Sequence, residues 1–86
     1  MTKLTDMVNI GKEMQSKLQS VGIDSAEKLV EIGSKEAYLK IKEVYPRVCL
    51  VHLYVLEGAI TDTHYCSLPE ETKKDLRAFS DKIKNL

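Results

Sequence analysis

An excess of charge of either sign is the first thing this chain lacks. Its 86 residues carry 13 basic and 13 acidic side chains, so the formal net charge is zero. Most nucleic-acid-binding domains have a basic excess, because the release of counterions from phosphates drives much of their affinity. Any binding of nucleic acid by this chain must therefore use a local patch of cations.

Cysteines and long apolar runs are also scarce. Two cysteines, Cys49 and Cys66, are too few for a secreted disulfide scaffold, and the N-terminal "MTKLTDMVNI" has no apolar run suited to a signal peptide. The most apolar stretch, "VCLVHLYVLEGAI", would span only about 20 Å as a helix, against about 30 Å of bilayer hydrocarbon. We therefore expect a cytoplasmic protein with reduced thiols and no membrane association.

Catalytic motifs are missing as well. The sequence has no nucleophile elbow, no Walker loop and no metalloprotease histidine pair. Glu57, inside the apolar stretch, is expected to be partly buried and to cap the end of a neighbouring helix. Because no base is paired with a nucleophile, we expect no enzyme, no catalytic residue and no cofactor.

What the chain does have is helical periodicity from end to end. Short turn signals separate segments whose apolar residues recur every three or four positions. The pattern predicts an all-α fold, with five to six short helices in one compact domain over residues 1–86. No linker, repeat or low-complexity segment divides it.

The N-terminal half predicts two helices joined by a tight turn. A very short helix covers Leu4–Met7, and a second runs from about Gly11 to Val21. Gly22 follows at the position where a left-handed C-terminal cap favours glycine. The buried stripe of the second helix is Met14, Leu18 and Val21.

Capping signals place the next two helices. Asp24 and Glu27 suit a capping box for the third helix, and Gly33 ends it. Ser34 is predicted to cap the fourth helix, which Pro46 stops. The predicted inner faces are Ala26, Leu29 and Val30 in the third helix, and Ala37, Tyr38, Ile41 and Val44 in the fourth.

The last two segments are a central helix and an amphipathic one. Val48–Ile60 is apolar on every side, and no second strand is available to pair with it, so we predict a buried helix. Ser67 and Glu70 predict a capping box for the final helix, with Pro69 in its first turn. Its stripe, which favours ordinary packing but also suits pairing between two copies, is Thr72, Leu76, Phe79, Ile83 and Leu86.

The stretch "VNIGKEMQSKLQSVGI" has the pattern of a phosphate-binding hairpin. Its glycine opens a helix, and the amides at a helix N-terminus suit a phosphate oxygen. Hairpins of this type usually carry two glycines, and Asn9 stands at the place of the first, where it tolerates a left-handed backbone. Because the chain has no basic excess, we expect a purely structural corner and keep phosphate binding as the alternative. The candidate contacts are Asn9, Ile10, Gly11, Lys12 and Lys17, with Lys3 nearby.

Two cysteine and histidine pairs raise the question of zinc. Cys49 and His52 would share a helix face, and His64 and Cys66 follow after a turn. Four such ligands suit tetrahedral zinc, but their spacing matches no standard module. We expect core packing and turn capping instead, and no metal.

Taken in order, several segments resemble the C-terminal domain of the TfoX/Sxy competence regulators. They are "NIGKEMQSKLQSVGIDSAEKLVEIGSKEAYLKI", "PRVCLVHLYVLEGAI" and "THYCSLPEETKKDL", and they cover about Leu4 to Phe79. The Asn-Ile-Gly turn, the "VGIDS" junction, the "YxLEGA" run and the "LPEE" cap are specific in combination.

The resemblance implies a helix-hairpin-helix-containing α fold, distantly similar to the C-terminal domain of the RNA polymerase alpha subunit. It implies that Asn9, Ile10, Gly11 and Lys12 form the hairpin turn. Longer members carry an N-terminal α/β domain and act in switching on competence genes alongside a cyclic-AMP-responsive activator. We expect a stand-alone copy of their C-terminal domain.

Three functions follow, in order of preference. The first is a non-enzymatic regulatory module that contacts a protein of the transcription machinery. The second is weak, sequence-independent DNA binding through the hairpin around Gly11. The third is a structural module, monomeric or dimeric, that self-associates through its C-terminal helix.

Overall fold

The computed structural model describes residues 2–84, and within that range it contains five α-helices, two short 3-10 helices and no strand. The predicted all-α class is confirmed. The 3-10 helices are Leu4–Asp6 and Tyr65–Ser67. The α-helices are α1 (Lys12–Ser20), α2 (Ala26–Ile32), α3 (Ser34–Val44), α4 (Leu50–Thr61) and α5 (Glu70–Lys84).

Helix α4 is the centre of the fold. It packs against α3, α5 and the 3-10 helix that follows it. Leu53 and Leu56 have no exposed surface, and Ala59 is 5% exposed. The prediction of a central helix is therefore confirmed, and its all-round apolar pattern follows from having neighbours on several sides. None of the described helices combines the length and the apolar character needed to cross a bilayer.

The cap predicted for α2 is wrong by one residue. Ser25 is the N-cap, and its hydroxyl accepts a hydrogen bond from the amide of Lys28 at 3.2 Å. Asp24 is not the cap, and Glu27 does not complete a capping box. The Glu27 carboxylate instead accepts the backbone amide of Thr2, at 2.9 Å and 3.2 Å from its two oxygens. Glu27 therefore bonds to Thr2, 25 residues away, rather than to the N-cap residue of its own helix.

The cap predicted for α3 is also wrong. Helices α2 and α3 meet at Gly33, which has a φ of 91° and serves as the cap of both. Ser34 is therefore the first helical residue, and its hydroxyl donates to Glu57 Oε1 at 2.6 Å. Glu57 is half-buried beside the N-terminus of α3, the kind of place that its sequence context predicts.

The capping box predicted for α5 is not formed by Ser67. Ser67 ends the second 3-10 helix, and α5 begins at Glu70. The carbonyl of Pro69 accepts the first helical hydrogen bond, from the amide of Lys73 at 3.0 Å. The helix thus starts too late for Ser67 to cap it.

Two valines predicted to face the core lie in solvent. Val30 is 54% exposed because the buried positions of α2 step by three, from Ala26 to Leu29, and turn away from it. Val44 is 55% exposed, since it lies in the last turn of α3 beyond the buried Ile41. The chain leaves the helix there, at Pro46 as predicted.

The apolar stripe of α5 packs against the core of the same chain. Leu76 is 2% exposed in the main core, and the half-buried Phe79 and Ile83 pack against that core. Ordinary packing thus accounts for these residues, and self-association through α5 stays a prediction. Leu86 lies outside the described residues.

Candidate functional site

Three cavities lie beside α1, and the residues predicted as a phosphate site are divided among them: Ile10, Gly11 and Lys12 line one, Lys17 lines the second, and Asn9, Gly11 and Lys17 line a smaller third. The hairpin cavity, about 660 Å³ in volume, lies between the N-terminal 3-10 helix and the start of α1. The corner groove, about 480 Å³, lies where α3 ends and α4 begins. Lys12 lines the first and Lys17 the second, because the two lysines are about 140° apart around the helix axis.

The hairpin cavity joins two lysines to a helix N-terminus. Lys3, Gly11 and Lys12 line it together with the largely buried Ile10 and with Asp24. Gly11 is the N-cap of α1 and supplies no side-chain cap, so the first amides of the helix have no partner within the helix. An anion here would meet those amides and two ammonium groups, offset by one carboxylate.

Packing does not explain the glycine at this turn. A Cβ on Gly11 would meet no atom within 4 Å, and its φ of −96° is open to any residue. The backbone at the N-terminus of α1 is therefore unshielded. This openness is what close approach of a phosphate needs, but it shows no ligand by itself.

Asn9 has a different task from the other predicted contacts. Its φ is 72°, so the predicted left-handed backbone is present. Its side-chain amide faces the loop after α4: Nδ2 donates to the carbonyl of Thr63 at 3.0 Å, and Oδ1 accepts the amide of Tyr65 at 3.3 Å. The side-chain amide therefore makes the pair of hydrogen bonds that a neighbouring backbone segment would make, and it fixes the turn before α1 to the loop after α4.

Gly58 makes room for this pairing. A Cβ on Gly58 would collide with the amide nitrogen of Asn9 and with the carbonyl oxygen of Thr63. We call Asn9, Gly58, Thr63 and Tyr65 the clasp. Sequence reasoning missed it, although a glycine inside an otherwise strong helix, which costs about 1 kcal/mol against alanine, was a signal of close approach.

Lys17 belongs to the corner groove. Its Nζ lies 3.1 Å from a carboxylate oxygen of Glu13 and 5.4 Å from the centre of the Tyr45 ring. Tyr45 also shares a hydrogen bond with the hydroxyl of Ser20, at 3.1 Å. The end of α3 is thus tied to α1 by one aromatic side chain.

The corner groove is mostly apolar, with a cationic edge. It is lined by Lys17, Val44, Tyr45, Pro46, Arg47, Val48 and His52. Val51, 49% exposed, lies in a smaller adjoining cavity of about 270 Å³ that shares Lys17 and His52 with it. The groove therefore adjoins two valines that are about half in solvent, Val44 and Val51.

A lysine holds the bend that shapes the groove. Lys42 Nζ donates to the carbonyls of Pro46 at 3.4 Å and of Val48 at 3.2 Å. The same ammonium lies 5.8 Å from the centre of the buried Tyr38 ring. These contacts set the path of the chain between α3 and α4 and keep Val44 and Arg47 on one surface.

The cysteine and histidine pairs cap turns, as predicted. His52 Nδ1 accepts the amide of Cys49, the N-cap of α4, at 3.1 Å, and His64 Nδ1 accepts the amide of Cys66 at 3.2 Å. The prediction that the two cysteines pack in the core was wrong, because both thiols are exposed. Nowhere in residues 2–84 do three potential metal ligands converge.

Comparison with known proteins gives one family. The sequence model of the TfoX C-terminal domain matches residues 1–80. Protein Sxy of Escherichia coli strain K12 is 28% identical over 81 residues, which make up 94% of this chain but only 39% of that protein. The chain therefore spans less than half the length of this curated relative.

Two crystal structures of proteins from Listeria monocytogenes share the fold. An uncharacterized protein in a triclinic form superposes with a TM-score of 0.94 at 36% identity, over 96% of this chain and 94% of that one. A protein of unknown function in a tetragonal form gives a TM-score of 0.91 at 37% identity, over 94% and 99% of the two chains.

Proposed function

Since the chain belongs to the TfoX C-terminal domain family, we propose that it is a non-enzymatic regulatory module that acts through protein contacts. Its partner is a protein of the transcription machinery, and its place of action is the cytoplasm. The resemblance to competence regulators, confirmed at the level of the family, supports a role in regulating transcription for competence.

The observation that carries this proposal is the exposed apolar surface at the corner groove. Val44 and Val51 are 55% and 49% exposed in a chain of zero net charge. The groove that Val44 lines and Val51 adjoins is mostly apolar, which favours protein contacts, whereas a neutral domain gains little from the phosphate backbone. Protein association is therefore the function that this surface favours.

The test is affinity purification from the source cell with and without nuclease. We expect a specific protein partner to be retained after the nucleic acid is digested. Loss of every partner on nuclease treatment would contradict the proposal and favour a direct DNA binder.

The second candidate function, DNA binding by a helix-hairpin-helix type of turn, is supported by the hairpin cavity. Lys3, Lys12 and the unshielded N-terminus of α1 line one cavity. With Lys17 on the other side of the helix, about two phosphates could be neutralised, which implies a log–log salt slope of about −2. Binding by Ile10, Gly11 and Lys12, with Asn9 holding the turn rather than contacting DNA, would be weak and independent of sequence.

A titration of labelled duplex DNA at low and physiological salt tests this candidate. Lys12→Glu should abolish any binding, whereas Lys74→Glu on α5 makes the same charge change at an exposed site away from the hairpin cavity and should not. Tight, sequence-selective binding at physiological salt would overturn the protein-contact proposal. No binding at low salt would leave the hairpin as a structural corner.

A further inference from the structure

We propose that the corner groove binds an acidic amphipathic segment of the protein partner. The inference rests on the proposed function and adds the chemistry of the partner to it. Three features carry it: the sign of the charges at the groove, the apolar character of its walls and the fixed shape of the bend.

The charged side chains that line the groove are of one sign. Lys17 and Arg47 are cationic, and none of the residues that line it is a carboxylate. The counterion of Lys17, Glu13, lies in the adjoining cavity instead, with its side chain 89% exposed. The Lys17 side chain is only 19% exposed, whereas Arg47 is exposed, so Arg47 is the more accessible cation for a carboxylate brought by a partner.

The walls of the groove favour an apolar side chain. Val44, Tyr45, Pro46 and Val48 line it, and Val44 keeps 55% of its surface in solvent. Burying this surface releases water from apolar atoms on both partners, which is the main favourable term in protein association. A partner therefore needs apolar residues to fill the groove and acidic residues beside them to meet Lys17 and Arg47.

A protein segment fits these walls better than a nucleic acid. Two cations neutralise few phosphates, and a phosphate gains nothing from valine and proline. The bend is also already built, since Lys42 bonds to the carbonyls of Pro46 and Val48 and Tyr45 is tied to α1. A preformed groove costs little ordering on binding, which suits capture of a short segment.

The chain offers matched controls for a test. Val30 on α2 is 54% exposed, nearly the same as Val44, but does not line the groove. Arg77 on α5 is exposed like Arg47 and also lies outside it. Val44→Glu and Arg47→Glu can therefore be compared with Val30→Glu and Arg77→Glu, which make identical changes elsewhere.

The experiment is a selection of random displayed peptides on the full chain, followed by titration of the best synthetic peptide into each variant. We expect selected peptides rich in Asp and Glu among Leu, Ile or Phe. In NMR spectra of the protein, the backbone amide resonances that shift when the peptide is added should centre on Tyr45, Arg47 and Val51. Arg47→Glu and Val44→Glu should each weaken the peptide about tenfold or more, or about 1.4 kcal/mol, with the control variants unchanged.

Three results would overturn the inference: no enriched peptide, enrichment of basic peptides, or peptides that bind Val44→Glu as well as the parent. If duplex DNA shifts the same resonances and its binding is lost in Arg47→Glu, the groove binds nucleic acid instead. Failure here is distinct from failure of the proposed function, because a nuclease-resistant partner could still bind elsewhere. Circular dichroism of each variant checks that the fold is retained.

Discussion

The hairpin cavity and the corner groove flank the same helix but are built from different chemistry. Lys3, Lys12 and a helix N-terminus give the first a polar lining, whereas valine, tyrosine and proline dominate the second. Each is also held in place by separate contacts. The clasp fixes the turn before α1, and Lys42 and Tyr45 fix the bend after α3. Substitutions can therefore be directed at each surface separately, with the smaller cavity lined by Asn9, Gly11, Val51 and His52 lying between them.

The largest effect should come from the core of α4, which supports both surfaces. Leu53→Ala or Leu56→Ala leaves a cavity at a site with no exposed surface and should cost about 2–5 kcal/mol of unfolding free energy. Urea denaturation followed by circular dichroism measures the loss. A cost below about 0.5 kcal/mol at both sites, the range of surface substitutions, would mean that the helix is not central.

A smaller but more selective effect is expected at the clasp. In Gly58→Ala, overpacking costs about 1–3 kcal/mol and two hydrogen bonds of about 1 kcal/mol each are strained, while helix propensity returns about 1 kcal/mol. We expect a net loss of about 2–4 kcal/mol, with faster hydrogen exchange at the Tyr65 amide. Gly11→Ala, which meets no atom within 4 Å, is the control and should cost less than about 1 kcal/mol.

Two substitutions of Asn9 distinguish the contribution of its hydrogen bonds from the cost of its left-handed backbone. Asn9→Gly removes the hydrogen bonds to Thr63 and Tyr65 but keeps the left-handed backbone, and should cost about 1–2 kcal/mol. Asn9→Ala should cost about 1 kcal/mol more, because alanine disfavours a φ of 72°. Equal thermal shifts for the two variants would contradict the assigned strain. Neither variant should alter the resonances of Tyr45 and Arg47 at the corner groove.

Features that are set by neighbouring residues could be predicted from the sequence, whereas features that depend on residues far apart in the chain could not. The helices, the stop at Pro46 and the left-handed Gly22, with a φ of 87°, follow from local patterns and were predicted. The pairing of Asn9 with Thr63 crosses 54 positions, and the sequence indicates it only through the glycine inside α4, which does not say what approaches it. The exposure of Val44 depends on which neighbours cover the last turn of α3, which periodicity does not specify. The division of Lys12 from Lys17 could have been found from helical geometry alone.

The smallest predicted effect concerns pH. Hydrogen bonding by the Thr2 side chain, then by the backbone amides of Glu27 and Thr2, lowers the pKa of Glu27. A lowered folded-state pKa stabilises the protein above the unfolded value, and this contribution is lost as the pH falls through the folded value. Glu27→Gln should therefore be slightly less stable than the parent at neutral pH.

The same difference between Glu27→Gln and the parent should vanish in acid. Urea midpoints measured across the acid range check this, and a difference that grows as the pH falls would contradict the sign. The carbonyl of Thr2 also accepts the amide of Ala26 at 3.0 Å, so the contact with Glu27 is part of the attachment of the N-terminal segment to the start of α2.

The most direct test compares one substitution from each surface in the same experiment. The parent, Val44→Glu and Lys12→Glu are each used for affinity purification from cell extract treated with nuclease. The amount of retained partner is then quantified. We predict that Lys12→Glu retains the partner at the level of the parent and that Val44→Glu loses it. Retention by Val44→Glu with loss by Lys12→Glu would contradict the account and move the functional surface to the hairpin cavity.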